Sequence, residues 1–188
     1  MTDEAAVWRR LSALLPAEDA QDVMDCWNIG EQEGGLQLLV SALQKHQVAI
    51  DETTRVEIAV VCETWGMWPV PLESLPRPDS GDGSHSTLRL VEDDATAPLP
   101  GTTVGLHDRL LVIPWIGCTE CGRTLARAHT REPWGDLSYV PEHYVVLDSD
   151  PDVAAPHVFA PEGVQEALAA LRTSCERPQH GQVREPTP

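Results

Sequence analysis

At Pro69 the chain changes character. From about Glu4 to Trp68 the apolar residues recur at helical spacing. Then comes PVPLESLPRPDSGDGSHS, whose prolines and Asp-Ser-Gly-Asp-Gly cluster forbid regular structure for about a dozen residues. Beyond it, apolar residues return as short runs bounded by turn residues, the mark of strands. The pattern predicts an α+β fold, with a small N-terminal helical bundle followed by a mixed α/β part that has a few strands and a C-terminal helix. The 188 residues suit one medium domain or two small ones. The expected division is a helical module over 1–68, a Pro/Gly-rich linker or loop over 69–105, an α/β part over 106–175 and a disordered tail over 176–188.

Four helices are expected in the first module. Val7, Trp8, Leu11, Leu14 and Leu15 form the first stripe, which Pro16 ends. A second helix runs from Ala17 to Trp27 with Val23, Cys26 and Trp27 inward, and Gly30 interrupts it. Leu36, Leu39, Val40 and Leu43 mark a third, from near Glu33 to His46. In the fourth, Asp51 caps the first amides, Ile58, Val61, Cys62 and Trp65 share a face, and Gly66 stops it. The spacing of Trp27 and Trp65 assigns them to the core.

In the second part, Ser86–Val91 reads as a brief strand and Arg109–Trp115 as a buried one. Arg123–His129 reads as a helical turn or two, and His143–Leu147 and His157–Phe159 as further strands. Pro161, at a first helical position, opens a last helix with Val164, Leu168 and Leu171 on one side.

Charge narrows the function classes. Thirty acidic side chains against 13 basic give a net charge of −17, a field that repels nucleic acid and anionic lipid. No segment approaches the ~18 apolar residues of a membrane span, and no basic start followed by an apolar run marks a secretory leader. Five cysteines, an odd number with one close pair, fit a reducing cytoplasm.

The most chemically loaded segment is IGCTECGR, from Ile116 to Arg123. As half of a structural zinc site, Cys118 and Cys121 would need two more ligands, for which Cys175 and His129 are the first candidates and His180 and His107 the next. As a redox dithiol, in the manner of thioredoxin, Cys118 would be the nucleophile and Cys121 the resolving thiol. Two reduced cysteines packed in a turn are the third reading. No GxSxG, P-loop, HExxH or GxGxxG occurs. His107, His143 and His157 are singly placed, and Asp148, Asp150 and Asp152 read as solvated loop acids or a cation site.

The stretch GEQEGGLQLLVSALQKHQVAIDETTRVEIAVVCETWGMW, from Gly30 to Trp68, resembles the MafI-type immunity proteins of bacterial polymorphic toxin systems. The resemblance lies in Gly-Glu opening a leucine-striped helix, a Val-x-Ile turn at Val48 and Ile50, and a last helix ending in Gly66 and Met67. It covers about a third of the chain, from near Leu11 to Trp68, and nothing from Pro69 onward has a counterpart there. It implies a bacterial cytoplasmic protein that binds and blocks a cognate toxin without catalysis of its own. Residues 1–68 hold 12 acids and 4 bases, which suits a basic target. Glu31, Glu33, Asp51 and Glu52 are the expected contacts. Exposed Trp68 and Trp134 would instead anchor a purely structural adaptor.

Overall fold

The computed structural model of the chain describes residues 3–67, 72–77, 86–91, 95–99, 110–149 and 155–175. Residues 68–71, most of 78–109 and the tail from 176 lie outside them, and with them Trp68, His107, His180, Asp150, Asp152 and the expected disorder of the tail.

The helices form where the 3.6-residue period places them: α1 Glu4–Ser12, α2 Ala17–Ile29, α3 Gln32–Lys45 and α4 Glu52–Thr64. Asp51 accepts the Thr54 amide at 2.8 Å and starts α4. Gly66, at φ +67°, lets the Met67 amide return to the Cys62 carbonyl at 2.9 Å and ends it. Trp8 and Trp27 meet with ring centroids 5.1 Å apart, and the Trp8 ring lies against Gly35 of α3.

A Cβ at position 35 would stand 2.9 Å from Trp8 Cζ3 and 3.1 Å from Cys26 Cβ, whereas one at Gly34 would meet nothing within 4 Å. Gly35→Ala is therefore expected to destabilise by about 1–3 kcal/mol through overpacking. Gly34→Ala should stabilise by about 0.5–1 kcal/mol through helix propensity. Urea midpoints of the two variants, moving in opposite directions, check the close α2–α3 approach.

The remaining strands build one antiparallel sheet in the order β1-β3-β4-β5-β6, with β1 Leu88–Leu90, β3 Leu110–Cys118, β4 Thr124–Thr130, β5 His143–Leu147 and β6 His157–Phe159. A short β2, Ala97–Pro98, also pairs with β3. The expected helical turn over Arg123–His129 is thus a strand. Its side chains are buried on both faces, Leu125 toward the helices and Ala126 and Ala128 away from them, so no polar/apolar alternation announces it. The last helix, α5, spans Val164–Cys175, and Pro161 lies in the turn before it rather than at its first position.

A bulge shapes β3. Pro114 pairs with Ala126 but Ile116 with Leu125, leaving Trp115 as the extra residue at the place where a proline disturbs the ladder least. The slip inverts the alternation: Leu110 and Val112 face away from the helices, while Ile116 and Cys118 face toward them.

The core does not break at Pro69. A single apolar cluster runs from Val7 and Trp8 through α3 and α4 to Ile116, Leu125, Val164 and Leu171. Leu72 and Leu75, inside the expected linker, belong to it at 7% and 2% exposure. A 3-10 turn, Leu72–Ser74, docks there because Arg55 of α4, 1% exposed, donates to the Leu72, Leu75 and Pro76 carbonyls. Helix α5 lies antiparallel to α4, with Gln165 beside Thr64 and Arg172 beside Glu57.

Candidate functional site

Among the described residues three places concentrate polar chemistry, and the first is sealed. At the end of α4, Glu63 accepts from Arg127 of β4 at 3.1 and 2.7 Å and from the Tyr144 hydroxyl of β5 at 2.7 Å. The guanidinium also lies 3.9 Å from the centre of the Trp115 ring. Burial lowers the Arg127 pKa against the pull of Glu63, and burial and the Glu63 charge push the Tyr144 hydroxyl upward. The Cys62 thiol beside them is pushed up to about 12, mainly by burial. Both carboxylate oxygens of Glu63 already hold donors, so the cluster clamps helix to sheet. Sequence reading does not find it, because Glu63 lies 64 and 81 positions from its partners.

The second place is the connection between β4 and β5, a hydrogen-bonded hairpin with an exposed tip. Arg131 bridges to Leu137, the Glu132 amide donates to the Asp136 carbonyl at 2.8 Å, and Gly135 turns the chain at φ +103°. The Ser138 amide donates to the Thr130 carbonyl at 2.8 Å, and the Glu142 amide to the Ala128 carbonyl at 2.8 Å. His129 supports it from beneath, its Nδ1–H donating to the Ser138 carbonyl at 2.8 Å. Burial lowers the His129 pKa, which keeps the ring neutral. On this frame Trp134, Tyr139 and Val140 stand 72%, 72% and 63% exposed, with Asp136 and Glu142 exposed beside them. Trp134 is thus exposed, as the adaptor reading of the sequence expects, while Tyr139 and Val140 go unnoticed among loop residues.

The third place is the β3–β4 turn with Cys118 and Cys121. The Cys118 amide donates to the Arg123 carbonyl at 2.8 Å, and the Gly122 amide to the Cys118 carbonyl at 3.1 Å. Gly122, at φ +71°, sits under Ser149, whose Cβ would be 3.2 Å from an added Cβ. Cys118 is 4% exposed and Cys121 half-buried, so the thiol reached first from solvent is Cys121, not the expected nucleophile Cys118.

His129 does not join the cysteines. It pairs with Leu111, seven residues along β3 from Cys118, roughly 23 Å away at the other end of the sheet. Cys175 ends α5, and its side chain is outside the described residues. Among the described residues no group of three His, Cys, Asp or Glu is placed to hold a metal. The loop acid Asp148 accepts from Arg123 at 2.9 Å.

Nor do the four expected contact acids share one surface. Glu31 and Glu33 are exposed at the start of α3, beside Ile29 at 74% exposure. Asp51 and Glu52 follow the other end of that helix, about 20 Å away. Asp51 is used in capping, and Glu52 faces Arg55 and Arg77, each at 3.5 Å. The exposed acidity of the module instead continues from Glu31 and Glu33 along the outside of α2 through Asp25, Asp22 and Glu18.

A groove of about 230 Å³ separates α1, α4 and α5. Its charges satisfy one another, Glu57 taking Arg10 at 2.8 Å and Arg172 at 3.8 Å. Among the described residues no helix is long and apolar enough to cross a membrane. In comparisons with known proteins the chain matches no family model, no curated protein and no solved structure.

Proposed function

We propose that this chain is a non-catalytic, cytoplasmic protein-binding protein, immunity-like or regulatory, that neutralises or controls a basic protein partner. The observation that carries the reading is the β4–β5 hairpin, where Trp134 and Tyr139 project from a hydrogen-bonded frame with acids beside them. Large aromatics held in place before binding lose little conformational freedom on contact, and such residues dominate interface energies. The net charge of −17 selects a basic partner and speeds its approach. The resemblance of Gly30–Trp68 to MafI-type immunity proteins supports a toxin domain as that partner, with Glu31 and Glu33 adding to the attraction.

The test is affinity capture from cells of the source organism with the full chain, followed by binding measurements on the captured protein. Trp134→Ala and Tyr139→Ala are each expected to weaken binding by about 30-fold. Their unfolding midpoints should stay within about 0.5 kcal/mol of the parent. Expressing the captured protein alone should arrest growth, and co-expressing this chain should restore it. Equal capture by parent and hairpin variants would overturn the assignment of the hairpin. Partners without basic character would remove the electrostatic part.

A further inference from the structure

The β3–β4 turn lies at the end of the sheet opposite the β4–β5 hairpin, and its chemistry stands independently of the binding role. The hydrogen bond from the Gly122 amide to the Cys118 carbonyl closes residues 118–122 into one turn of α type. In such a turn, positions i and i+3 lie on one face with Cβ atoms about 5–6 Å apart. A disulfide needs about 3.5–4.5 Å, so closing the ring asks for a shift on the order of 1–2 Å in a loop with a glycine at its positive-φ position. The two side chains already point the same way: Cys118 is part of the central apolar cluster and Cys121 packs against it. Both are thiols. Their exposures differ, 4% for Cys118 and half-buried for Cys121, so solvent meets them in a fixed order.

We propose that the Cys118–Cys121 turn is a thiol–disulfide exchange site whose substrate is a small-molecule disulfide, with Cys121 as the attacking thiol and Cys118 as the resolving thiol. In the first step Cys121, its proton lost to water, attacks one sulfur of the disulfide RSSR. A Cys121–SR bond forms, and RS⁻ leaves and takes up a proton. In the second, the Cys118 thiol gives up its proton, its sulfur attacks Cys121 Sγ, and the S–S bond to the other R group breaks, the departing RS⁻ taking up a proton to leave as RSH. The balance is two protein thiols and one RSSR giving one protein disulfide and two RSH, the protein being oxidised and the small disulfide reduced.

The turn is wired into the fold. The Thr119 amide donates to the Thr87 carbonyl at 2.9 Å, next to β1, and Ser86 reaches Thr53 of α4 through their hydroxyls at 2.8 Å. Oxidation at the turn therefore acts on the junction of β1, β3 and α4. The order of attack is set by burial, which reverses the roles expected from the sequence.

The experiment incubates the full chain with hydroxyethyl disulfide, an uncharged probe that the negative field of the protein does not repel. Acid quenching, intact mass and peptide mapping follow. The parent chain should lose two hydrogens, bridge Cys118 to Cys121 and retain no adduct. Cys118→Ser should stop at a mixed disulfide on Cys121. Cys121→Ser should slow thiol loss at Cys118 on the order of tenfold or more. Should either variant fail to fold, alkylation of the native parent decides the order, with Cys121 expected to be modified before Cys118. First reaction at Cys118 would overturn the proposal, as would an adduct on Cys121 that never closes. Zinc carried through purification with both thiols protected would replace it with a two-thiolate metal half-site.

Discussion

Glu63→Ala should destabilise the chain by about 3–5 kcal/mol, the cost of stranding a buried cation. The Glu63 side chain is 2% exposed and that of Arg127 13%, so water cannot take over the lost hydrogen bonds without opening the seam between α4 and the sheet. Three donor contacts fail together: two from the guanidinium and one from the Tyr144 hydroxyl. Glu63→Gln keeps the shape but offers only one oxygen, and its amide N–H groups face the donors of Arg127. It is expected to lie between the parent and the alanine variant. The informative companion is Glu63→Leu with Arg127→Met, which removes both charges and should recover much of the loss. Urea unfolding of the single and double variants, read as a cycle, checks the coupling. A cost below about 1 kcal/mol for Glu63→Ala would mean that the seam is solvated and the cluster is no clamp.

That cluster also marks the limit of what the chain shows before folding. The helices were legible because a period of 3.6 and the caps at Asp51 and Gly66 are local signals, satisfied within a few residues. Strand β3 was legible from its apolar run, yet its true end at Cys118 was hidden, since the bulge that absorbs Pro114 depends on the register with β4. Strand β4 was misread because TLARAHT is rich in residues of good helix propensity and its burial on both sides comes from neighbours elsewhere in the chain. The docking of Leu72 and Leu75 was masked by the prolines around them, and only the partner Arg55 explains why that stretch is held. For the candidate surface, the sequence names Trp134 only as an anchor if exposed, and no local pattern fixes that exposure before the hairpin around it forms. Tyr139 and Val140 gain their place from the Ser138 and Glu142 hydrogen bonds across the hairpin.

Arg55 sits where a helix least favours a cation, in the first turn of α4 where the macrodipole is positive. What holds it there is the ring of carbonyls from Leu72, Leu75 and Pro76, with the Glu52 carboxylate 3.5 Å from its Nε. Burial and the nearby Arg77 lower its pKa, and Glu52 opposes them. Arg55→Leu should therefore cost about 2–4 kcal/mol: the hydrophobic replacement fills space but strands the buried Leu75 carbonyl, at about 1–3 kcal/mol, and takes one of two donors from the Leu72 and Pro76 carbonyls, which keep the Leu75 and Ile50 amides. Arg55→Lys retains the charge on a single nitrogen, which cannot span the Leu72 carbonyl and the Leu75–Pro76 pair as the two guanidinium nitrogens do, and should recover less than half of the loss. The loss should also be local before it is global. Hydrogen exchange at the Leu75 and Ile50 amides, which bond the Leu72 and Pro76 carbonyls at 3.2 Å, should accelerate ahead of exchange in α2 and α3. Limited proteolysis within 72–77 should appear in Arg55→Leu and not in the parent. If the midpoint moves by less than about 1 kcal/mol and exchange at those amides is unchanged, water reaches the carbonyls, and packing of Leu72 and Leu75 alone holds the segment.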